Sequence, residues 1–245
     1  MYFAAHLYVR SYQLCSGGKV TYKDGFVPPE GSDMLLKQFF GLISDYNNKI
    51  NLTAITGERQ FFIKHVWDSL AGQKYFPAGA SVAEVGSGGG FPSLPLKICR
   101  PDLFFTLFES VGKKCAFLKL AADSLALDGV EVVNCRAEDA GKNGKFREKY
   151  DVCCARAVAR LNTLLEYCAP LVKVGGRVVA YKGDAAEEIE EAANAAKLLG
   201  LELECAEHYN LPEGEGARTL AVYRKIKPTP PKFPRGQGKE RKDPL

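Results

Sequence analysis

From residue 81 onward the chain alternates short apolar runs with stretches of helical periodicity, and this alternation limits the possible folds more than any other feature. Five runs have the length and composition of buried strands: 81–85, 104–109, 131–134, 150–155 and 176–182. Helical patterns lie between and after them, at 92–99, 113–127, 160–171 and 184–199. Strands that alternate with helices form parallel sheets covered on both faces. The sequence therefore predicts an α/β fold with a doubly wound, mostly parallel, Rossmann-like sheet.

Two further apolar runs, 201–208 and 217–224, complete a predicted seven-stranded sheet. They are separated only by the turn-rich segment N-L-P-E-G-E-G. Because this connection is too short for a crossover helix, the two runs predict an antiparallel hairpin at one edge of the sheet.

Before residue 81 the spacing of apolar residues is helical. It predicts one helix over 33–50, with Asp33 as its N-cap, and a second amphipathic stretch over 58–75. We therefore divide the chain into an N-terminal helical segment (1–78), an α/β core (79–225) and a basic C-terminal arm (226–245).

The C-terminal arm is strongly basic. Residues 224–245 hold eight Lys or Arg against two acidic residues, whereas the whole chain carries a net charge of only +4. Its prolines and glycines exclude a regular helix, so the segment is interpreted as an extended arm able to reach phosphates. A merely solubilising end is the alternative.

Cysteine and histidine usage argues against a metal site. The eight cysteines never form a C-x-x-C pair, and none of the three histidines lies near a cysteine cluster. Several cysteines lie in apolar runs, as expected of buried thiols in a reducing cytoplasm. No stretch approaches the roughly 18 apolar residues of a membrane span. We expect a soluble cytoplasmic protein without a metal.

A glycine-rich turn follows the first predicted strand, in the segment V-A-E-V-G-S-G-G-G-F-P at 82–92. Gly86, Gly88 and Gly90 allow a sharp bend and a close approach of the backbone to a ligand. The second strand ends in Glu109, near the offset at which a carboxylate meets ribose hydroxyls. The combination predicts a nucleoside-cofactor site that includes Gly86, Gly88 and Glu109.

The spacing of the glycines and the charge of Glu84 bear on which cofactor this is. A pyrophosphate would be repelled by Glu84, which lies two residues before Gly86, whereas the cationic S-adenosylmethionine would not. The residues therefore favour S-adenosylmethionine. Two alternatives stay open: a nicotinamide-dependent oxidoreductase, and a non-catalytic RNA-binding protein on the same fold.

Six separated motifs then carry a resemblance to one family. They are N-L-T-A-I-T at 51–56, H-V-W-D-S-L at 65–70, the run 84–96, F-E-S-x-x-K-K-x-x-F-L at 108–118, R-A-x-A at 156–159 and Y-K-G at 181–183. Together they resemble the RsmG (GidB) family, the bacterial methyltransferases of guanine N7 in 16S ribosomal RNA. The similarity covers about residues 33–245, and Ser93 stands where the family usually has glycine.

The resemblance implies a Rossmann-like methyltransferase fold, S-adenosyl-L-methionine as cofactor, and 16S ribosomal RNA within the small ribosomal subunit as partner. It also implies cofactor contacts at Gly86, Phe91, Ala137, Glu138 and Arg156. We expect a monomer that does not bind a membrane.

Direct attack by guanine N7 needs no general base, because this nitrogen has a lone pair and no proton. No catalytic residue is therefore assigned. Cys153 and Cys154 lie in an apolar run and are interpreted as structural thiols. His65 and Asp68 could form a catalytic pair, but we favour a helix that packs or orients the domain and the RNA.

Basic residues near the predicted carboxyl ends of the strands are the candidates for RNA binding. They are Lys113, Lys114, Arg136 and Lys182, with Arg160 and the C-terminal arm as further candidates. A doubly wound sheet binds its ligands at this edge, so the prediction depends on these residues converging there.

Overall fold

The computed structural model of the protein describes residues 22–245. His6, Cys15 and the first 21 positions of the predicted N-terminal segment lie outside this range. No helix among the described residues is long and apolar enough to cross a membrane.

One seven-stranded sheet organises the molecule. Its strands are β1 (Ser81–Val85), β2 (Phe104–Glu109), β3 (Val130–Asn134), β4 (Tyr150–Arg156), β5 (Val172–Lys182), β6 (Leu201–Asn210) and β7 (Ala217–Lys225). Their order is β3-β2-β1-β4-β5-β7-β6. Strands β1 to β5 are parallel, and β7 is antiparallel to both β5 and β6. The doubly wound sheet and its edge hairpin are confirmed, and the strand order reverses between β1 and β4, where such sheets bind ligands.

Helices cover both faces of the sheet. They are α1 (Ser32–Ile50), α2 (Glu58–Phe61), α3 (Asp68–Ala71), α4 (Ser93–Cys99), α5 (Gly112–Ser124), α6 (Ala137–Lys142), α7 (Leu161–Cys168), α8 (Ala186–Glu191), α9 (Ala193–Leu199) and α10 (Lys239–Lys242). A π-helical stretch, Phe62–Trp67, joins α2 to α3. The N-cap of α1 is Gly31, so Asp33 lies inside the first turn, where its charge complements the helix dipole, and is not the predicted cap.

The N-terminal helices pack on one face of the sheet. Phe39 of α1 lies 5.8 Å from Phe61 and 5.4 Å from Phe91, measured between ring centroids. All three side chains are at most 6% exposed. The region before β1 therefore shares one continuous apolar layer with α4 and the sheet.

The C-terminal segment packs on the opposite face and does not extend away from the core, as the predicted arm would. Phe233 is buried in the apolar layer beneath α7. The Arg235 guanidinium pairs with the buried Glu166 carboxylate at 2.8 Å. Lys225 is buried as well, and its ammonium lies 3.2 Å from Glu148 and donates to the Thr229 hydroxyl. Apolar burial of Phe233, the Arg235–Glu166 ion pair and the hydrogen bond from Lys225 to Thr229 therefore hold the segment in place.

Candidate active site

Gly86 makes the tight turn at the carboxyl end of β1. Its φ is +69°, and an added Cβ would lie 2.7 Å from Cγ2 of Val158, in the loop after β4. The Gly86 amide donates to the Phe108 carbonyl of β2 at 2.8 Å. Glycine thus permits both the left-handed backbone and the close approach of two loops across the point where the strand order reverses.

A cavity of about 510 Å³ opens beside this turn. Its volume lies in the range of small-molecule sites. It is lined by Val85, Gly86, Phe108, Ser110, Cys135, Arg136, Ala137, Glu138, Asp139, Val158, Tyr167, Gln237, Gly238 and Arg241. The absence of a Cβ at Gly86 keeps the β1 side of the cavity open.

Glu109 fixes the glycine loop. One carboxylate oxygen accepts from the Gly88 amide at 2.9 Å, and the other accepts from the Val111 amide at 2.8 Å. The side chain is 6% exposed. Among residues 22–245, the lining of the cavity includes Ser110 but neither Glu109 nor Gly88. Each oxygen keeps a further lone pair, so the predicted bond to a ribose hydroxyl stays a prediction.

Ala137 and Glu138 line the cavity at the start of α6, directly after β3. Arg136 precedes them, is exposed and lines the same cavity. From the sequence, Ala137 and Glu138 were predicted to contact the cofactor and Arg136 to contact RNA. In the structure all three line the same cavity as Gly86.

Phe91 and Arg156 lie in an adjoining buried cluster. The Phe91 ring stacks on the His65 ring with centroids 4.1 Å apart and an interplanar angle of 19°. The guanidinium carbon of Arg156 lies 4.9 Å from the Phe91 ring centroid. Neither Phe91 nor Arg156 lines the cavity formed by the described residues, and their predicted cofactor contacts stay predictions.

Arg156 ties the strand β4 to the helices before β1. It donates to the Lys64 carbonyl at 3.0 Å, to an Asp68 carboxylate oxygen at 3.0 Å and to Nδ1 of His65 at 2.8 Å. Asp68 is 3% exposed and also accepts from the Tyr209 hydroxyl at 2.7 Å. This network supports the interpretation that His65 and Asp68 pack and orient the domain.

His65 is neutral in this cluster. Burial, reinforced by the Arg156 charge, lowers the pKa of His65 to about 3. Because arginine only donates, Nδ1 must accept, and Nε2 therefore carries the proton and donates to the Thr53 hydroxyl at 2.7 Å. A buried imidazole with both nitrogens engaged is a structural group.

Glu84 does not face the cavity, which corrects its predicted electrostatic role. The side chain is fully buried, and its carboxyl group accepts from the Ser93 hydroxyl at 2.5 Å and the Ser93 amide at 3.3 Å. Burial raises the pKa of Glu84 to about 7. Glu84 thus joins β1 to the start of α4 through Ser93, the residue that departs from the family pattern.

Glu84 and His65 make the unfolding free energy depend on pH in opposite directions. Below pH 6.5 the imidazole of His65 binds a proton in the unfolded chain, whereas the buried ring stays neutral. The contribution of His65 to the unfolding free energy therefore falls as the pH falls. The folded Glu84 carboxyl binds a proton near pH 7 and the unfolded one near 4.5, so its contribution rises as the pH falls. Each slope is at most about 1.4 kcal/mol per pH unit.

We therefore expect opposite shifts in two variants, measured as unfolding free energies in urea between pH 7 and 5. Relative to the wild type, His65→Gln gains stability as the pH is lowered, whereas Glu84→Gln loses it. Parallel changes in the two variants would contradict these protonation states.

The predicted RNA-binding lysines and arginines differ in accessibility. Lys113 at the start of α5 is exposed, Lys114 is half-buried, and Arg136 is exposed at the cavity. The ammonium of Lys182 lies 2.6 Å from Glu188 and donates to the Ala159 carbonyl at 2.9 Å, with the side chain 10% exposed. Internal pairing thus argues against a phosphate contact at Lys182.

Part of the cavity wall was not predicted from the sequence. Tyr167 of α7 and the C-terminal residues Gln237, Gly238 and Arg241 line it. No motif spacing connects these positions, because their contact depends on how the C-terminal segment packs against α7.

Solved structures share this architecture. The chain is similar to the crystal structure of cofactor-bound Rv0187 from MTB, with a TM-score of 0.56 and 18% identity over 81% of this chain and 92% of that one. It is also similar to the tRNA methyltransferase TrmK of B. subtilis, with a TM-score of 0.53 and 13% identity over 66% of each chain. With the glycine turn at the reversal of strand order, this likeness defines the class of fold as a Rossmann-like α/β protein.

Sequence comparison identifies the family within this class. The family model "GidB: rRNA small subunit methyltransferase G" matches residues 33–215. The relative named ribosomal RNA small subunit methyltransferase G from Lactobacillus johnsonii is 42% identical over 91% of this chain and 95% of its own length. The relative of the same name from Exiguobacterium sibiricum is 45% identical over 88% and 93%. The chain belongs to the rRNA small subunit methyltransferase G family, which confirms the resemblance to RsmG (GidB) and decides against the oxidoreductase alternative.

Proposed function

We propose that the protein transfers a methyl group from S-adenosylmethionine to N7 of one guanine in 16S ribosomal RNA. The observation that carries the proposal is the cavity beside Gly86, at the reversal of strand order, in a chain of this family. The names of the relatives indicate small-subunit ribosomal RNA as the substrate. The resemblance to the RsmG (GidB) motifs indicates guanine N7 as the methylated atom.

The cavity residues suit S-adenosylmethionine. Gly86 leaves room beside β1, and Ala137 and Glu138 present an amide and a carboxylate to polar groups of adenine. Phe108, Val158 and Tyr167 supply apolar walls for a flat base. When bound, S-adenosylmethionine supplies an electrophilic methyl group on a sulfonium.

The described residues need only hold the donor and the guanine in line. The lone pair of guanine N7 forms the new N–C bond while the electron pair of the broken S–C bond stays on sulfur. No proton is released, so no general base is required. This agrees with His65 being neutral, buried and fully hydrogen-bonded outside the cavity.

RNA would approach from the carboxyl ends of the strands. Lys113, Lys114 and Arg136 are proposed to contact phosphates there, because all three side chains are at least partly accessible and follow the carboxyl ends of β2 and β3. Of the three, Arg136 lines the cavity. A guanine must be turned away from its neighbours to reach the donor, which favours RNA presented by the folded small subunit. We propose a monomer that acts in the cytoplasm.

The test uses small subunits from a strain that lacks the family enzyme. Purified protein should incorporate labelled methyl groups from S-adenosylmethionine, and mass spectrometry of the digested RNA should find them as 7-methylguanosine at one position. No incorporation, or incorporation into another nucleoside, would overturn the proposal. RNA binding without methylation would instead favour the non-catalytic alternative.

A further inference from the structure

The C-terminal segment closes one side of the cavity. Gln237, Gly238 and Arg241 line it together with the residues after β1, β3 and β4. These three residues lie outside the part of the chain, 33–215, that the family model matches. We propose that residues 236–242 form part of the cofactor site, with Arg241 binding the adenine end of the cofactor. This inference rests on the proposed function.

The segment is held in place on both sides of the cavity contact. Before it, the Arg235 amide and guanidinium both bond to the buried Glu166 carboxylate, at 2.8 Å in each case. After Gly238, Glu240 is completely buried, and its carbonyl accepts from the Thr163 hydroxyl at 2.7 Å. The Glu240 carboxylate also accepts from the Gly236 amide. These contacts give residues 236–242 a defined position beside the cavity.

Arg241 is an exposed residue of this segment and lines the cavity near the loop after β4. Its guanidinium donates to the Val158 carbonyl at 3.4 Å and lies close to the Tyr167 hydroxyl. The Val158 side chain also packs beside Gly86, where it would lie 2.7 Å from an added Cβ. Arg241 thus connects the C-terminal segment to the loop that bounds the β1 turn.

The chemistry of this corner suits a flat heteroaromatic base. Phe108, Val158 and Tyr167 offer apolar surface, and the planar guanidinium of Arg241 can stack on a ring. A guanidinium has five donors, so donors remain for ring nitrogens after the bond to the Val158 carbonyl. An adenine ring supplies both a π face and acceptor nitrogens.

Calorimetry with S-adenosylhomocysteine and with adenosine tests this assignment. We expect Arg241→Ala to raise the Kd of both ligands about tenfold, the loss expected for one charged hydrogen bond. Tyr167→Phe removes a polar group that lies beside Arg241 in the cavity wall and should raise both values about threefold. Lys242→Ala is the matched control, since Lys242 is exposed on the same helix and outside the cavity lining, and should leave both values unchanged.

Hydrogen exchange gives a second readout. Bound S-adenosylhomocysteine should slow exchange of the amides of residues 237–242 in the wild type, and less in Arg241→Ala. Unchanged ligand affinity and exchange in Arg241→Ala, or a loss of RNA affinity alone, would overturn the inference while leaving the proposed function intact. A wild-type chain that binds no S-adenosylhomocysteine would overturn both.

Discussion

Gly86→Val is expected to weaken S-adenosylhomocysteine binding and RNA methylation at least about a hundredfold. A β-branched residue at a φ of +69° is strained, and its Cβ would lie 2.7 Å from Val158 before the two methyl groups are added. Val158 lines the same cavity, so either the added side chain fills the cavity or the displaced Val158 does. Calorimetry for the ligand and labelled methyl transfer for the reaction measure the effect.

Gly79→Val separates backbone strain from loss of the cavity. Gly79 has a φ of +68°, almost that of Gly86, but an added Cβ there meets no atom within 4 Å. The variant should lose about 1–2 kcal/mol of unfolding free energy through the left-handed backbone and keep the wild-type Kd. Equal losses of affinity in the two variants would contradict a cofactor cradle at Gly86.

Arg156→Ala is expected to reduce the unfolding free energy by about 3 kcal/mol, measured by urea denaturation at pH 7.5. The substitution removes the guanidinium from an Asp68 carboxylate whose side chain is 5% exposed. Only the Tyr209 hydroxyl at 2.7 Å and Arg218 at 3.8 Å then remain among the described partners of that charge. Methyl transfer should fall as well, because the cluster positions Phe91 beside the glycine loop.

Two further variants make this result specific. Asp68→Asn combined with Arg156→Ala should recover part of the stability, because no uncompensated carboxylate is left in the cluster. Arg177→Ala breaks an Arg–Glu pair of similar length whose side chains are 25% and 33% exposed, and should cost less than about 1 kcal/mol. A loss at Arg156 no larger than the loss at Arg177 would contradict the described network.

Local patterns explain why the sheet was predictable. The apolar runs and the glycine turn each depend on neighbouring residues, so β1, β2 and the hairpin β6–β7 were found to within a few positions. Strand alternation puts Glu84 on the same face of β1 as Val82 and opposite to Val85, which lines the cavity. The prediction considered only the charge of Glu84 and therefore assigned it an electrostatic role toward the cofactor, which is wrong.

Contacts between distant residues explain what the sequence missed. The pairing of Lys182 with Glu188 depends on the turn between β5 and α8, and the contact of Arg241 with Tyr167 joins residues more than 70 positions apart. The prolines of the C-terminal segment predicted that it has no regular helix, which is wrong for Lys239–Lys242, a short helix that begins after Pro234. The prolines also did not indicate that Phe233 is buried.

Internal pairing of two of the eight cations in residues 224–245 also bears on how ionic strength would affect RNA binding. Lys225 is paired with Glu148 and Arg235 with Glu166, so their charges are largely neutralised within the protein. The steepness with which affinity falls as salt is added reports the number of phosphates neutralised. For this chain that steepness should reflect its accessible cations and therefore be shallower than the formal charge of the segment suggests.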